Sequence, residues 1–351
     1  MIYKVLKILY LIIVISFCTL RVEAQRDTSA PLFLDLKRFY NAGKYYDARR
    51  VAEQLCQNTK LSQEDNAELM KYYSAVLKES GFDERADSVT KGFIKKNPFY
   101  KVKSEDPVPF QEMFSNYYAY PKFSVAFSAG ICTPEVTVDT VHIIGVNTQT
   151  DPVYEESIGF SAGLSLQYYP LKQFSITCGL KYYFSQWQRE VRYQGERRIF
   201  VYQETSHIIA VPVYAGYAFD LKKWTPEVFL GAELDYIVKA RYETYNEYNG
   251  IQQDMVVQKN LDLNSKNRVN YSLDFGFRIS RNYNRIAFFA DMFYAVMLRP
   301  FNRAEYNYSD NNLFYNKLFV HDAIRLRLDA FSLGIKVNFG YAVKAKYGYG
   351  Y

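Results

Sequence analysis

From residue 121 onward apolar side chains alternate with small or polar ones in stretch after stretch, and this period of two constrains the fold more than any other feature. Over residues 158–168, Ile158, Phe160, Ala162, Leu164, Leu166 and Tyr168 alternate with Gly159, Ser161, Gly163, Ser165 and Gln167. Phe123, Val125, Phe127, Ala129 and Ile131 keep the same rhythm, as do Phe174, Ile176, Cys178, Leu180 and Tyr182. Further strands are expected near 207–219, 228–236, 269–279, 286–292 and 331–339. Pro212 cannot donate a ladder hydrogen bond and predicts a bulge in the fourth strand.

A closed sheet in hydrocarbon turns one face to lipid and the other inward, and leaves no free edge. Eight such stretches, each near the roughly 9–11 residues that a tilted membrane strand needs, predict an antiparallel transmembrane β-barrel. A soluble sandwich also alternates, but the connections argue for the barrel. They are short around 171–172, 221–223 and 283–284, and longer and polar over 134–155, 190–200, 246–266 and 303–324, which is the pattern of periplasmic turns and external loops. Aromatics make up 18% of the 351 residues, with 34 Tyr and 26 Phe, while the mean hydropathy is only −0.26. That balance excludes a bundle of membrane helices and suits strands with one apolar face.

Lys4 and Lys7 precede an apolar run over 8–20, then Val22-Glu23-Ala24, which reads as a secretory signal over 1–24 cleaved before Gln25; the alternative is an uncleaved anchor helix. Bulky Phe17 before Cys18 argues against a lipid anchor. Cys56, Cys132 and Cys178 are an odd set without close spacing, expected as packing residues and not as disulfides or zinc ligands. A net charge of +6 dispersed along the chain does not form a nucleic-acid footprint.

Within an expected helical domain over 25–98 the period is helical from Pro31 to about Lys96, with Leu32, Leu36 and Phe39 on one face and Val51 and Leu55 on the next segment. Gly43-Lys44-Tyr45-Tyr46-Asp47-Ala48 and Gly81-Phe82-Asp83-Glu84-Arg85-Ala86 repeat a Gly-to-Ala spacing 38 residues apart, and Pro98 follows the second alanine by 12. The arrangement resembles the tetratricopeptide repeat, in which glycine bends the inter-helix turn, alanine permits close helix packing and proline stops the second helix. The Trp and Leu-Gly signature of that family is missing and the period is longer, so a generic four-helix segment is the alternative. Residues 99–120, with Pro107, Pro109, Phe110, Phe114, Tyr117, Tyr118 and Tyr120, are expected as an aromatic and proline-rich linker. Its rings suit either a membrane interface or packing between domains.

The expected fold class is therefore α+β and multidomain, with N-terminal tetratricopeptide-like helical hairpins followed by an eight-stranded antiparallel transmembrane β-barrel over 121–340. An even strand count places the helical domain and a tail over 341–351 on one side, the periplasm.

Alternation points Glu227, Glu233, Asp235, Asp274 and Asp291 inward beside Lys181, Arg278 and Lys336. Eight strands enclose only enough room for side chains, so these charges are expected to pair as a plug, with a narrow gated ion path as the sharper alternative. Arg189, Arg192, Arg197 and Arg198 flank an external loop and could bind lipopolysaccharide phosphates or simply solvate the loop. His142 and His321 lie in external segments near Asp139 and Asp322, yet no nucleophile or ligand spacing accompanies them or His207. No catalytic, cofactor-binding or metal-binding residue is assigned.

In its order of parts the chain resembles outer-membrane β-barrel domain proteins common in Bacteroidota, some of which are accessory parts of envelope or type nine secretion machinery. The resemblance brings no catalytic motif with it; a packed barrel joined to an incomplete repeat domain points to a non-enzymatic anchor that touches outer-membrane lipid and holds a periplasmic module for a protein partner, and the dispersed charge to no nucleic acid. A small gated channel, or a rim enzyme acting on lipid or peptide, are the alternatives.

Overall fold

The computed structural model describes residues 30–57, 61–142, 152–192, 198–221, 223–248, 251–260, 263–303 and 321–346. The expected signal segment over 1–24 lies outside the described residues. The chain divides into two compact units, one of residues 1–119 with 342–351 and one of residues 120–341.

The first unit is helical: α1 (Ala30–Asn41), α2 (Tyr45–Gln57), α3 (Gln63–Glu79), α4 (Asp83–Lys96) and α5 (Val108–Ser115). Ser62 caps α3 by accepting the Asp65 N–H at 3.1 Å, which satisfies one of the orphan donors of the first turn. Gly43 and Gly81 end α1 and α3 at φ +70° and +77°. A Cβ at either would meet nothing within 4 Å, so backbone conformation, not crowding, demands glycine there. Ala48 and Ala86, five residues on, are fully buried and let the paired helices approach. Leu36, Leu55, Leu69 and Val76 form one core with Met113 of α5.

Residues 99–120 are more than a linker. Pro107 and Pro109 sit at the start of α5, where a missing N–H costs nothing. Phe110 is fully buried and stacks edge-on against Phe93 with centroids 5.1 Å apart; Phe114 and Tyr100 join them. Tyr117 hydrogen-bonds Asp87 of α4 at 2.5 Å. The packing of Phe110, Phe114 and Tyr117 lies within the helical unit, which it completes, and is not the packing between domains that the sequence suggested.

The second unit is built from nine strands: β1 (Tyr117–Thr140), β2 (Val153–Tyr168), β3 (Phe174–Arg192), β4 (Arg198–Ala218), β5 (Thr225–Tyr248), β6 (Ile251–Asn260), β7 (Val269–Tyr283), β8 (Ile286–Met297) and β9 (Ala323–Ala345). β1, β2, β3, β4, β5, β7, β8 and β9 follow one another around a closed ring, with β9 returning to β1 and β4 pairing β5. β6 pairs only the upper part of β5, from Arg241 to Tyr248, while β7 takes the lower part, from Thr225 to Tyr236. The eight expected strands thus close the barrel. β6 is an addition in a stretch expected as loop, and β3, β4 and β5 run far past their expected ends.

Pro212 makes no bulge. It pairs Glu233 in an unbroken register, and the irregularity falls at His207/Ile208 instead. Glycine inside the sheet makes room for aromatic rings: a Cβ on Gly276 would lie 2.3 Å from the Phe229 ring, and one on Gly334 would lie 2.2 Å from the Phe289 ring. Cys132 is buried as a packing residue, whereas Cys56 and Cys178 are exposed.

Candidate functional site

The outer wall carries a continuous apolar band. Ile158 is 73% exposed, Leu230 65% and Phe275 62%, values that in water would be costly across a whole surface. On β5 the band runs from Val228 to Val238, ten residue steps of roughly 3.3 Å, which at a tilt of about 40° span about 25 Å, the height of a bilayer's apolar band around a barrel. No described helix is long and apolar enough to cross a membrane, and the strands provide the crossing.

The inner face is polar but full. Toward the short-turn end, Arg278 grips Asp291 bidentately at 2.6 and 2.9 Å and lies 3.8 Å from Glu227. Glu227 also accepts from Gln167 at 2.9 Å, and Lys336 donates to Tyr169 at 3.0 Å. One level further along, Lys181 meets Glu233 at 2.5 Å, Tyr183 donates to Glu233 at 2.9 Å, and Tyr214 bridges Glu233 and Asp274. Asp235 takes the Ser272 hydroxyl. Aromatic rings back the cations, with Lys181 Nζ 3.7 Å from the Phe293 centroid and Arg278 4.5 Å from that of Phe289. Between the two levels lies a cavity of only about 30 Å³, lined by Ser128, Lys181, Tyr214, Arg278 and Asp291 among others. That is room for about one water. Buried charges survive in such a space because each finds a partner or a hydrogen bond.

A third level of buried charges lies toward the far end. Lys266, 1% exposed, pairs with Glu204 at 2.8 Å and donates to Asn302 at 2.6 Å. Arg189 pairs with Asp322 at 2.9 Å, and Asp322 also accepts the His142 backbone N–H at 2.6 Å and the Tyr154 hydroxyl. Trp187, Phe200, Tyr202, Leu326 and Phe301 pack in the same core. Glu204 and Arg189 were legible by strand parity, had β3 and β4 been extended beyond the band. Lys266 and Asp322 sit off the strands, where parity says nothing.

Several expected residues stand elsewhere. Arg189, expected to reach lipopolysaccharide, points inward and is 3% exposed, because the continued alternation of β3 carries it to the inner face. Arg192 is exposed and 4.0 Å from Glu190. Arg197 lies outside the described residues, as does the side chain of Arg198. Of the acids near the external histidines, Asp139 is held by Arg325 and Asp322 by Arg189, Tyr154 and the His142 backbone N–H, and the His321 ring sits edge-on to Tyr202. Among the described residues no cluster of three or more metal-binding side chains occurs.

A closed ring of eight antiparallel strands with a lipid-facing apolar band and a packed polar interior defines a membrane-spanning β-barrel. The chain belongs to the outer membrane protein beta-barrel domain family, whose model matches residues 122–348, and the outer membrane is its location. No curated protein matches it. Among solved structures it is similar to Neisserial surface protein A, at 15% identity and a TM-score of 0.32 over 63% of this chain and 99% of that one. It is also similar to OprG from Pseudomonas aeruginosa, at 10% identity and a TM-score of 0.29 over 63% and 97%. A third likeness is to Ail of Yersinia pestis, at 12% identity and a TM-score of 0.24 over 61% and 97%.

Proposed function

We propose that the protein is a non-enzymatic anchor: the barrel fixes it in the outer membrane, and the helical unit, on the periplasmic side, binds another envelope protein. The observation that carries this reading is the lumen, filled by three levels of paired charges around a cavity of about 30 Å³. A barrel so filled is suited to holding a position and not to passing solute. Support for the side comes from topology. The connections β2–β3, β4–β5 and β7–β8 are short, which is the periplasmic habit, and both the helical unit and the last residues of β9 leave the barrel at that end. The helices form an ordered module with a core of their own, and paired helical hairpins commonly serve as docking platforms. An accessory role in envelope or secretion machinery fits this reading.

Photo-crosslinking from Leu34 and Tyr46, which are 70% and 76% exposed, in cells producing the intact protein is expected to trap one stoichiometric companion, whose co-purification with the barrel is lost when residues 30–98 are deleted. Finding no companion from either position sinks the anchor reading.

A further inference from the structure

Lys266 lies beyond the apolar band, in the connection between β6 and β7, and its side chain turns into the aromatic core at that end. It stands directly opposite Asn302 in an isolated antiparallel bridge. Two backbone bonds of 3.0 Å, from the Asn267 N–H to the Phe301 carbonyl and from the Arg303 N–H to the Ser265 carbonyl, pin the bridge on either side. The two residues are 36 positions apart in the chain.

Lys266 Nζ is 2.6 Å from Asn302 Oδ1 and 2.8 Å from both carboxylate oxygens of Glu204. The carboxamide is held from its other side as well, because Asn302 Nδ2 donates to the Asp322 carbonyl at 3.0 Å. Glu204 is steadied by the Tyr202 hydroxyl at 2.8 Å. All three side chains are buried, with the Phe301 ring centroid 4.6 Å from Nζ and Trp187 and Tyr202 in the same core. In such surroundings charge is costly, and passing a proton from Lys266 to Glu204 leaves two neutral groups. Burial pulls the Lys266 amine below its ordinary value, against the opposing pull of Glu204. A neutral amine is a nucleophile, and this one is fixed against a carbonyl that cannot turn away.

We infer that Lys266 and Asn302 join in an intramolecular isopeptide bond, with Glu204 relaying the protons. Glu204 accepts one proton from the ammonium, and the freed Nζ lone pair attacks Asn302 Cγ. Glu204 then gives its proton to the leaving nitrogen and takes the next one from Nζ. The Cγ–Nδ2 bond breaks and ammonia departs, leaving a secondary amide with one N–H beside a protonated Glu204. Nothing is oxidised or reduced. The bond ties the β6–β7 connection to the residues after β8 and encloses both β7 and β8 in a covalent ring, which restricts the unfolded chain as any long-range cross-link does. It is independent of the helical unit and its partner.

The test is protease digestion and tandem mass spectrometry of the full-length protein, purified from outer membranes and unfolded by heating. A branched peptide joining the segments around Lys266 and Asn302, lighter than their sum by one ammonia, is expected from the unaltered protein. Glu204→Gln, shown to be folded by heat-modifiable migration on a gel, is expected to lower its yield at least about tenfold. Recovery of both segments only as linear peptides from the unaltered protein overturns the inference without any variant, even where the intact mass shows an ammonia lost elsewhere. Undiminished branching in the folded Glu204→Gln variant overturns it too.

Discussion

Asp106 shows how much one side chain can hold in the helical unit. Its carboxylate is buried and accepts from Lys71 Nζ at 2.8 Å, from the Tyr100 hydroxyl at 2.7 Å and from the Lys103 backbone N–H at 2.8 Å, which ties residues 97–107 to α3. Burial by itself would push this acid up, but the hydrogen bonds and the Lys71 charge outweigh it and hold the group below the usual carboxylate value. A depressed folded value means stability that is complete above the unfolded value of about 3.9 and is lost as pH falls through the folded one. Hydrogen exchange in α3 and residues 97–107 should therefore rise in that acid window. Asp106→Asn should speed it already at neutral pH, by about 1–3 kcal/mol of lost protection, and flatten the acid step. An unchanged acid profile in that variant would refute the assignment. Nothing local marks Asp106 in the sequence, because its partners lie up to 35 residues away. Asp274 and Asp291 are different. Strand alternation alone sends them inward, and both are buried there.

At the scale of elements, the strands of the apolar band were readable and their continuations were not. Within the band one face meets lipid, so alternation is stark. Above it, outward positions on β3 become Gln186, Gln188 and Glu190 while Trp187 and Val191 stay inside, and the contrast that a reader of sequence relies on shrinks. The bulge in β5 is also silent, since Val238 and Lys239 look like an ordinary alternating pair; the register passes from Ile208↔Ile237 to His207↔Lys239 and leaves Val238 over. It makes a sharp prediction. Deleting Val238 removes only the surplus residue and leaves both halves of β5 facing as before, so the barrel should still assemble and show heat-modifiable migration. Deleting Ala232, in the regular ladder opposite Val213 and Leu273, flips one half of the strand to the wrong face and should abolish it. Equal outcomes for the two deletions would show that the bulge has been misplaced.

For the molecule as a whole, a lumen occupied by paired charges at three levels predicts that the purified full-length protein inserts into planar bilayers without steady conductance. Regular single-channel steps from the unaltered protein would show that the charge layers rearrange into a path and would restore the channel alternative. The sequence by itself determined the period of two and the count of strands that close the barrel. Each follows from a local rule: in a sheet between lipid and a filled interior, every side chain has only two places to go. Only the tertiary structure decided which charges meet, that Arg189 belongs to the interior, that Phe110 and Phe114 complete a helical core, and that Lys266 lies against Asn302. Those outcomes depend on register between strands and on segments brought together from as far apart as Arg189 and Asp322, and the energy of such contacts leaves no periodic trace along the chain.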